Sequence, residues 1–150
     1  MPSYGPEMRG GTANCTVVIS DQEVASPVTN DAEVVVAMNI PSLVKFEPAV
    51  TPNGCLLINQ SVIDRERQRN DLVSVKVPCN EIAEKLGNLK VANMVMLGAV
   101  AGATGVVSKE SIVKALEKKL SAGGKAALIE VNKNAIERGF ETAKAAVASK

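Results

Sequence analysis

An unbroken apolar run, AEVVVAMN at Ala32–Asn39, constrains the fold more than any other stretch of the sequence. Its apolar residues do not alternate with polar ones, which is typical of a strand buried on both faces within a parallel sheet. A turn leads into a similar run at Pro52–Asn59, and a more alternating run occupies Leu72–Pro78. The β-branched stretch CTVVIS predicts a further strand at Cys15–Ser20. We therefore predict four strands in the first half of the chain.

Helix signals separate these strands and then dominate the second half of the chain. Pro41 suits the first turn of a short helix after the first apolar run. Asn80 is a candidate N-cap and Gly87 a C-terminal stop for another short helix. Because strands and helices interleave, the sequence predicts an α/β fold with a mainly parallel sheet. A length of 150 residues matches a single domain, which we place at 1–150.

The uncharged segment Val91–Val107 predicts a helix buried in the core and no membrane span. It is shorter than the roughly 20 apolar residues that a bilayer requires, and it contains Asn93. Ser108 is the candidate N-cap of an amphipathic helix that follows. The pair Gly123–Gly124 predicts the end of that helix, and a last, alanine-rich helix is expected at about 125–147.

Composition excludes several classes of function. Lys and Arg number 17 against 16 Asp and Glu, and one Tyr and two Phe provide no stacking platform, so we expect no nucleic-acid binding. Without histidine, Cys15, Cys55 and Cys79 cannot build a zinc or iron–sulfur site within one chain, and we expect no metal. We expect these thiols to be buried and free in a reducing cytoplasm. No nucleophile motif or histidine base is present, so we predict no catalytic residue.

The opening loop, YGPEMRGGTANC at 4–15, is the candidate binding site. The guanidinium of Arg9 offers a planar set of donors, and Gly10 and Gly11 allow backbone N–H groups to approach a ligand closely. This combination suits a phosphate or a carboxylate. The alternative is structural: Arg9 pairs with Glu7, and the glycines only form a turn. The residues alone leave both interpretations open.

Four helical residues are candidates for packing or for subunit contacts. Asn93 interrupts an apolar helix, and we expect its buried amide to tie a neighbouring loop in place. Asn132, Ala135 and Gly139 share one face of the last helix, because their spacings are three and seven residues. The two small residues permit close approach of another element, which is either a helix of the same chain or another subunit.

Four stretches occur in an order that resembles one protein family. They are PSYGPEMRGGTANCTVVIS at Pro2–Ser20, AMNIPSLVKFEP at Ala37–Pro48, EIAEKLGNLKVANMVMLGA at Glu81–Ala99 and NKNAIERGF at Asn132–Phe140. Together they resemble the gamma subunit of the 2-oxoacid:ferredoxin oxidoreductases, which corresponds to the gamma domain of single-chain pyruvate:ferredoxin oxidoreductases. The stretch GPEMRGGTANC is closer to the 2-oxoglutarate and branched-chain 2-oxoacid types than to the pyruvate type.

The resemblance implies a Rossmann-like, three-layer α/β subunit of a cytoplasmic complex. Such a complex oxidatively decarboxylates a 2-oxoacid, joins the acyl group to coenzyme A and passes electrons to ferredoxin. Thiamine diphosphate and Mg²⁺ lie between its alpha and beta subunits, and iron–sulfur clusters lie on the beta chain or on a ferredoxin-like delta subunit. The resemblance therefore implies that this chain alone holds no cofactor, that its partners are those subunits, and that ferredoxin is the electron acceptor. A homodimer of the isolated chain is a further expectation.

The same resemblance implies a ligand for the opening loop. In single-chain relatives the corresponding domain helps to bind coenzyme A, which implies that Arg9, Gly10 and Gly11 contact a phosphate of that cofactor. The residues that we assign to the support of this loop are Tyr4, Glu7, Asn14 and Asn39.

The sequence departs from the family in one respect. The strand and G-x-G-G-Q-G turn that precede this loop in the family are absent, so we expect a domain that is N-terminally incomplete and lacks the usual first β-α unit. Two rival interpretations also stay open. One is a stand-alone module that binds an anion or a nucleotide, and the other is a purely structural subunit whose loop packs against a partner.

Overall fold

The computed structural model describes residues 2–3, 13–24 and 31–148 of the chain. In these ranges the strands are β1 (Pro2–Ser3), β2 (Asn14–Cys15), β3 (Ala32–Ala37), β4 (Val50–Asn59) and β5 (Val73–Val77). The α-helices are α1 (Ile40–Phe46), α2 (Cys79–Lys85), α3 (Ala92–Thr104), α4 (Lys109–Ala122) and α5 (Ile129–Ala148). Short 3-10 turns occupy Glu47–Ala49, Leu89–Val91 and Ala126–Leu128.

The central sheet consists of three parallel strands in the order β3-β4-β5. Val35 of β3 lies opposite Leu56 of β4, and Leu57 lies opposite Val75 of β5. Parallel neighbours need crossover connections, which α1 provides between β3 and β4 and residues 60–72 provide between β4 and β5. The predicted α/β class with a parallel sheet is confirmed.

Each face of this sheet is packed against other parts of the chain. On one face, Leu57 belongs to a core that it shares with Val95 of α3 and with residues of α2 and α5. On the opposite face, Leu56 packs with Leu43 of α1 and with Ile63 of the β4–β5 connection. Full burial of one such side chain contributes roughly 1.5–3 kcal/mol to stability. The predicted three-layer arrangement is therefore also confirmed.

The strand predicted at Cys15–Ser20 is wrong. Only Asn14 and Cys15 form β2, which pairs with β1 in a separate antiparallel pair and not with the central sheet. In the residues that follow, Val17 is 76% and Ile19 is 65% exposed, and no β-ladder in the described ranges includes residues 16–20. Strand propensity depends on a neighbouring strand that supplies a packed face. The central sheet accordingly has three described strands where four strands were predicted.

Among the described strands, β3 lies at one edge of the central sheet. The apolar run at Ala32–Asn39 forms the expected parallel strand, and its residues Val35 and Ala37 are buried. Val36, however, is 38% exposed, so the layer packed on its face of the sheet does not fully cover this position. The expectation of burial on both faces is therefore correct for only part of this strand.

Several predicted helix ends agree with the structure. Ser108 precedes α4, and its Oγ accepts a hydrogen bond from the backbone N–H of Ser111 at 3.2 Å. Gly87 follows α2 with a φ of 77°, and the break at Gly123–Gly124 ends α4. The last helix of the prediction is a 3-10 turn followed by α5.

The helix α3 is the buried helix predicted from its lack of charge. Val95 and Ala99 are fully buried, and the main contact of α3 is with α5. A Cβ atom added to Gly139 of α5 would lie 2.7 Å from the carbonyl carbon of Val95, and one added to Gly98 of α3 would lie 2.7 Å from that of Ile136. The two helix backbones therefore meet directly, with no side chain between them. Within the described ranges, no helix combines the length and apolar character that crossing a membrane requires.

Candidate functional site

Most of the opening loop lies outside the described residues. This applies to the predicted site residues Tyr4, Glu7, Arg9, Gly10 and Gly11. The described strands nevertheless show how the loop is closed, because Pro2 lies opposite Cys15 and Ser3 opposite Asn14 in the β1–β2 pair. Directly paired residues of antiparallel strands have Cα atoms about 4.5–5.5 Å apart. Asn14, which is half-buried, therefore lies at the base of the loop that contains Arg9.

A polar network lies at the carboxyl ends of β4 and β5. Asn59, the last residue of β4, is 2% exposed. Its Nδ2 donates to Oδ1 of Asn80 at 3.0 Å. Its Oδ1 accepts hydrogen bonds from the backbone N–H groups of Ser61 and Cys79, both at 3.3 Å. This one side chain therefore ties the end of β4 to the beginning of α2, which follows β5.

The cap of α2 comes from outside the helix. Oγ of Ser61 accepts hydrogen bonds from the backbone N–H groups of Asn80 at 3.1 Å and Glu81 at 3.4 Å. The prediction that Asn80 is the N-cap is wrong, because the helix already begins at Cys79 and the Asn80 side chain binds Asn59. A cap supplied from 19 residues away leaves no local signal in the sequence.

Asn39 occupies the corresponding place after β3. Its side chain is exposed, and its Oδ1 accepts a hydrogen bond from the N–H of Ser42 at 2.9 Å, which caps α1. A contact between Asn39 and the opening loop stays a prediction. Ligands of open α/β sheets bind at the carboxyl ends of the strands, so this edge, with Asn39, Asn59 and Asn80, is the described part of the candidate site. Neutral amides position other groups by hydrogen bonding and do not exchange protons at neutral pH.

The thiol at this edge is unreactive. Cys79 is fully buried, and burial raises the pKa of its thiol to about 12. It therefore stays protonated at neutral pH and is no nucleophile. Cys55 is half-buried and Cys15 is exposed, so the expectation of buried thiols is correct for Cys79 and wrong for Cys15. In the described ranges, no three His, Cys, Asp or Glu residues are grouped so that they could hold a metal ion.

Sequence reasoning missed one buried carboxylate, Glu47. It is 5% exposed, and its Oε1 accepts hydrogen bonds from the backbone N–H groups of Gln68 at 2.6 Å and Arg69 at 2.8 Å. The Arg69 guanidinium donates to the backbone oxygen atoms of Glu47 and Val50. It also hydrogen-bonds Asp71, which lowers the pKa of that carboxyl group. These contacts fasten the β4–β5 connection to the start of β4, and a charged residue in a turn gives no sequence signal for such a role.

The helical candidates separate into two groups. Ala135 and Gly139 pack against α3, and Asn132 is buried on the same face of α5, where its Nδ2 donates to the carbonyl oxygen of Leu128 at 2.7 Å. The structure thus places these three residues in a contact within the chain. Asn93 is exposed on α3, so the expectation of a buried amide is wrong. A helix without charges does not reveal from its sequence which side faces solvent.

The parallel sheet between helical layers, with amide side chains at its carboxyl edge, defines the class of the protein as a Rossmann-like α/β domain. In the described part of the site, the amides of Asn39 and Asn59 hold the beginnings of α1 and α2. The chain belongs to the pyruvate ferredoxin/flavodoxin oxidoreductase family, whose model matches residues 1–142. The resemblance is thereby confirmed at the level of this family.

Two curated relatives show how the chain relates to longer proteins. The ketoisovalerate oxidoreductase subunit VorA of Methanothermobacter marburgensis is 38% identical over 145 residues, which cover 95% of this chain and 30% of VorA. The 2-oxoglutarate synthase subunit KorC of Methanocaldococcus jannaschii is 33% identical over 144 residues, which cover 95% of this chain and 75% of KorC. The chain therefore spans less than a third of VorA and three quarters of KorC.

A solved structure agrees with this relationship. The crystal structure of the keto/oxoacid ferredoxin oxidoreductase gamma subunit from Geobacter sulfurreducens PCA is similar, with a TM-score of 0.75 and 28% sequence identity. The match covers 97% of this chain and 79% of that subunit. Together with the family match, this likeness confirms the resemblance to gamma subunits of 2-oxoacid:ferredoxin oxidoreductases.

Proposed function

We propose that the chain acts as the gamma subunit of a complex that oxidatively decarboxylates a 2-oxoacid, forms an acyl-coenzyme A and reduces ferredoxin. The observation that carries this proposal is the family match over residues 1–142, together with the likeness to a gamma subunit. We further propose that alpha and beta subunits, and a ferredoxin-like delta subunit in some complexes, hold the thiamine diphosphate, Mg²⁺ and iron–sulfur clusters in the cytoplasm. The role of this chain is then subunit contact and the binding of coenzyme A.

The proposed substrate is a branched-chain 2-oxoacid or 2-oxoglutarate. VorA, named for ketoisovalerate, and KorC, named for 2-oxoglutarate, each match 95% of this chain. The pyruvate synthase subunit PorC of Thermotoga maritima also matches 95% of this chain, so the preference over pyruvate rests on the stretch GPEMRGGTANC.

The subunit proposal predicts that the chain purifies as part of a complex. Co-expression with the alpha and beta subunits of the same organism is expected to give a complex that reduces ferredoxin or viologen when a 2-oxoacid and coenzyme A are both present. Rates with ketoisovalerate, 2-oxoglutarate and pyruvate identify the substrate. A chain that purifies alone, from co-expression and from native extract, would contradict the subunit role. Fastest turnover of pyruvate would overturn only the proposed substrate.

The proposed coenzyme A contact lies in the opening loop. Arg9 is proposed to bind a phosphate of coenzyme A, with Gly10 and Gly11 allowing close approach and Tyr4 and Glu7 supporting the loop. The pairing of Ser3 with Asn14 supports this proposal, because it closes the loop at its base and so reduces the conformational freedom lost on binding. These assignments rest on the resemblance together with that closure.

Substitution of Arg9 tests the contact. Hydrogen bonds to charged groups contribute about 1.5–3 kcal/mol, so in the assembled complex Arg9→Ala is expected to raise the KM for coenzyme A at least about tenfold. The KM for the 2-oxoacid is expected to stay unchanged. Arg65→Ala, which removes an exposed arginine of the β4–β5 connection, is the matched control and is expected to leave both constants unchanged. An unchanged KM for coenzyme A in Arg9→Ala would favour a purely structural loop while leaving the subunit role intact.

A further inference from the structure

The helix α4 is attached to the domain differently from the other helices. Among the described α-helices, it alone has no buried residue. Its apolar residues Ile112, Leu116 and Leu120 are only half-buried. Apolar burial supplies most of the free energy that holds a helix on a domain. The free energy that holds α4 in place is therefore smaller than that of α3 or α5.

Glycine residues lie directly before and after the segment that contains α4. Gly105 ends α3 with a φ of 66°, and Gly124 follows α4 with a φ of 65°. Apart from its chain neighbours, no atom of the described residues lies within 4 Å of a Cβ placed on either glycine, so a side chain at either position would meet open space. Val106, between Gly105 and α4, is 51% exposed. Since such residues absorb large changes in φ and ψ at little cost, the two connections can act as hinges.

Charged contacts fasten α4 to α5. Nζ of Lys109 lies 2.6 Å from Oε1 of Glu137, and the same Nζ lies 5.2 Å from the centre of the Phe140 ring. Nζ of Lys133 lies 3.2 Å from Oε1 of Glu117. The four ion-pair side chains are between 25% and 45% exposed. Ion pairs this exposed are weak, and salt screens them further.

From these observations we propose that α4 opens as a unit about Gly105 and Gly123–Gly124 while α3 and α5 stay packed. The ion pairs Lys109–Glu137 and Lys133–Glu117 set how often it opens. Opening exposes the apolar side of α4 together with Phe140, which the closed helix partly covers. The opening of α4 is a change in the conformation of the domain and does not depend on the reaction that the complex catalyses.

Hydrogen exchange of the purified full chain, with any subunits that accompany it, tests this proposal. A detached helix of 14 residues is only marginally stable in water, so α4 is expected to unwind when it opens, and its amides are expected to exchange faster than those of α3 at low salt. Raising NaCl from about 0.05 M to about 0.5 M is expected to speed exchange in α4 by about threefold to tenfold and to leave α3 unchanged, because salt weakens the two ion pairs. Exchange of α4 at the rate of α3, or exchange of α4 that ignores salt, would overturn the proposal.

Two variants distinguish the effect of the Lys109–Glu137 ion pair from a general effect of charge. Lys109→Gln is expected to speed exchange in α4 at low salt to a similar degree and to reduce its response to salt. Lys118→Gln removes the charge of an exposed lysine for which the described chain shows no ion pair. It is expected to change neither the exchange rate of α4 nor the response of that rate to salt. Equal effects of the two variants on α4 would show that the ion pairs to α5 do not control its opening. Faster exchange in α3 as well as in α4 would show that α4 does not open separately.

Discussion

Replacing Gly139 by alanine is expected to lower the free energy of unfolding by about 3 kcal/mol or more. The added methyl group would lie 2.7 Å from the carbonyl carbon of Val95 and 3.1 Å from the backbone nitrogen of Ala99. Backbone atoms inside a helix cannot move aside as a flexible side chain can, so α3 and α5 must separate. Their shared core then loses packing around Ala135 and Val95. Urea denaturation followed by circular dichroism measures the change.

The control for Gly139→Ala must separate steric overlap from helix propensity. Alanine favours a helix over glycine by about 1 kcal/mol, so without the contact to α3 the substitution would be stabilising. Gly123→Ala is the matched variant, since its φ is −88° and its added Cβ would lie 3.3 Å from the nearest atom. We expect it to change stability by less than about 1 kcal/mol. Stability of Gly139→Ala equal to that of the unchanged chain would refute the direct backbone contact.

A second glycine extends the same test. Gly98→Ala would place its methyl group 2.7 Å from the carbonyl carbon of Ile136, at the same crossing of α3 and α5. Once one substitution has forced the helices apart, the second meets less resistance. The combined loss in the double variant is therefore expected to be smaller than the sum of the two single losses.

The strands of the central sheet could be predicted because their sequence signal is strong and local. The runs at Ala32–Asn39 and Pro52–Asn59 are apolar without alternation, and both became parallel strands. The stretch Thr16–Ser20 has a similar composition, yet it forms no strand in the described chain. The difference lies in the neighbours, since β3 and β4 pair with each other in the central sheet, whereas residues 16–20 belong to no β-ladder in the described chain. Propensity therefore identifies candidate strands, and pairing decides among them.

The described part of the candidate site depends on contacts between distant residues, which local patterns do not contain. Asn59 was predicted only as the end of a strand, yet it contacts three partners at the carboxyl edge. Asn80 is a residue type that caps helices, but α2 is capped by Ser61, which lies in the β4–β5 connection. Asn93 was expected to be buried from the composition of its helix and is exposed. Sequence patterns placed Asn39 and Asn59 at strand ends and Asn80 at the start of a helix, while the partners of each amide required the fold.

Replacing Asn59 by alanine is expected to cost about 3 kcal/mol of unfolding free energy. Its side chain makes three hydrogen bonds from a position that is 2% exposed, and each contributes about 1 kcal/mol. The loss leaves the backbone N–H of Cys79 without this acceptor in a buried place, where water cannot replace it. Because the side chain joins β4 to α2, we expect the loss to loosen the carboxyl edge as well. Urea denaturation gives the stability, and hydrogen exchange of residues 79–85 reports on the edge.

Controls for Asn59→Ala distinguish the network from the general effect of removing an amide. Asn134→Ala changes an exposed asparagine on α5 and is expected to be neutral or slightly stabilising, since alanine has the higher helix propensity. Ser61→Ala removes the cap of α2 and is expected to cost about 1 kcal/mol. Because the side chains of Asn59 and Ser61 both hold the first residues of α2, the two losses are expected not to add in the double variant. A loss below about 1 kcal/mol in Asn59→Ala, or strict additivity with Ser61→Ala, would show that Asn59 does not organise this edge.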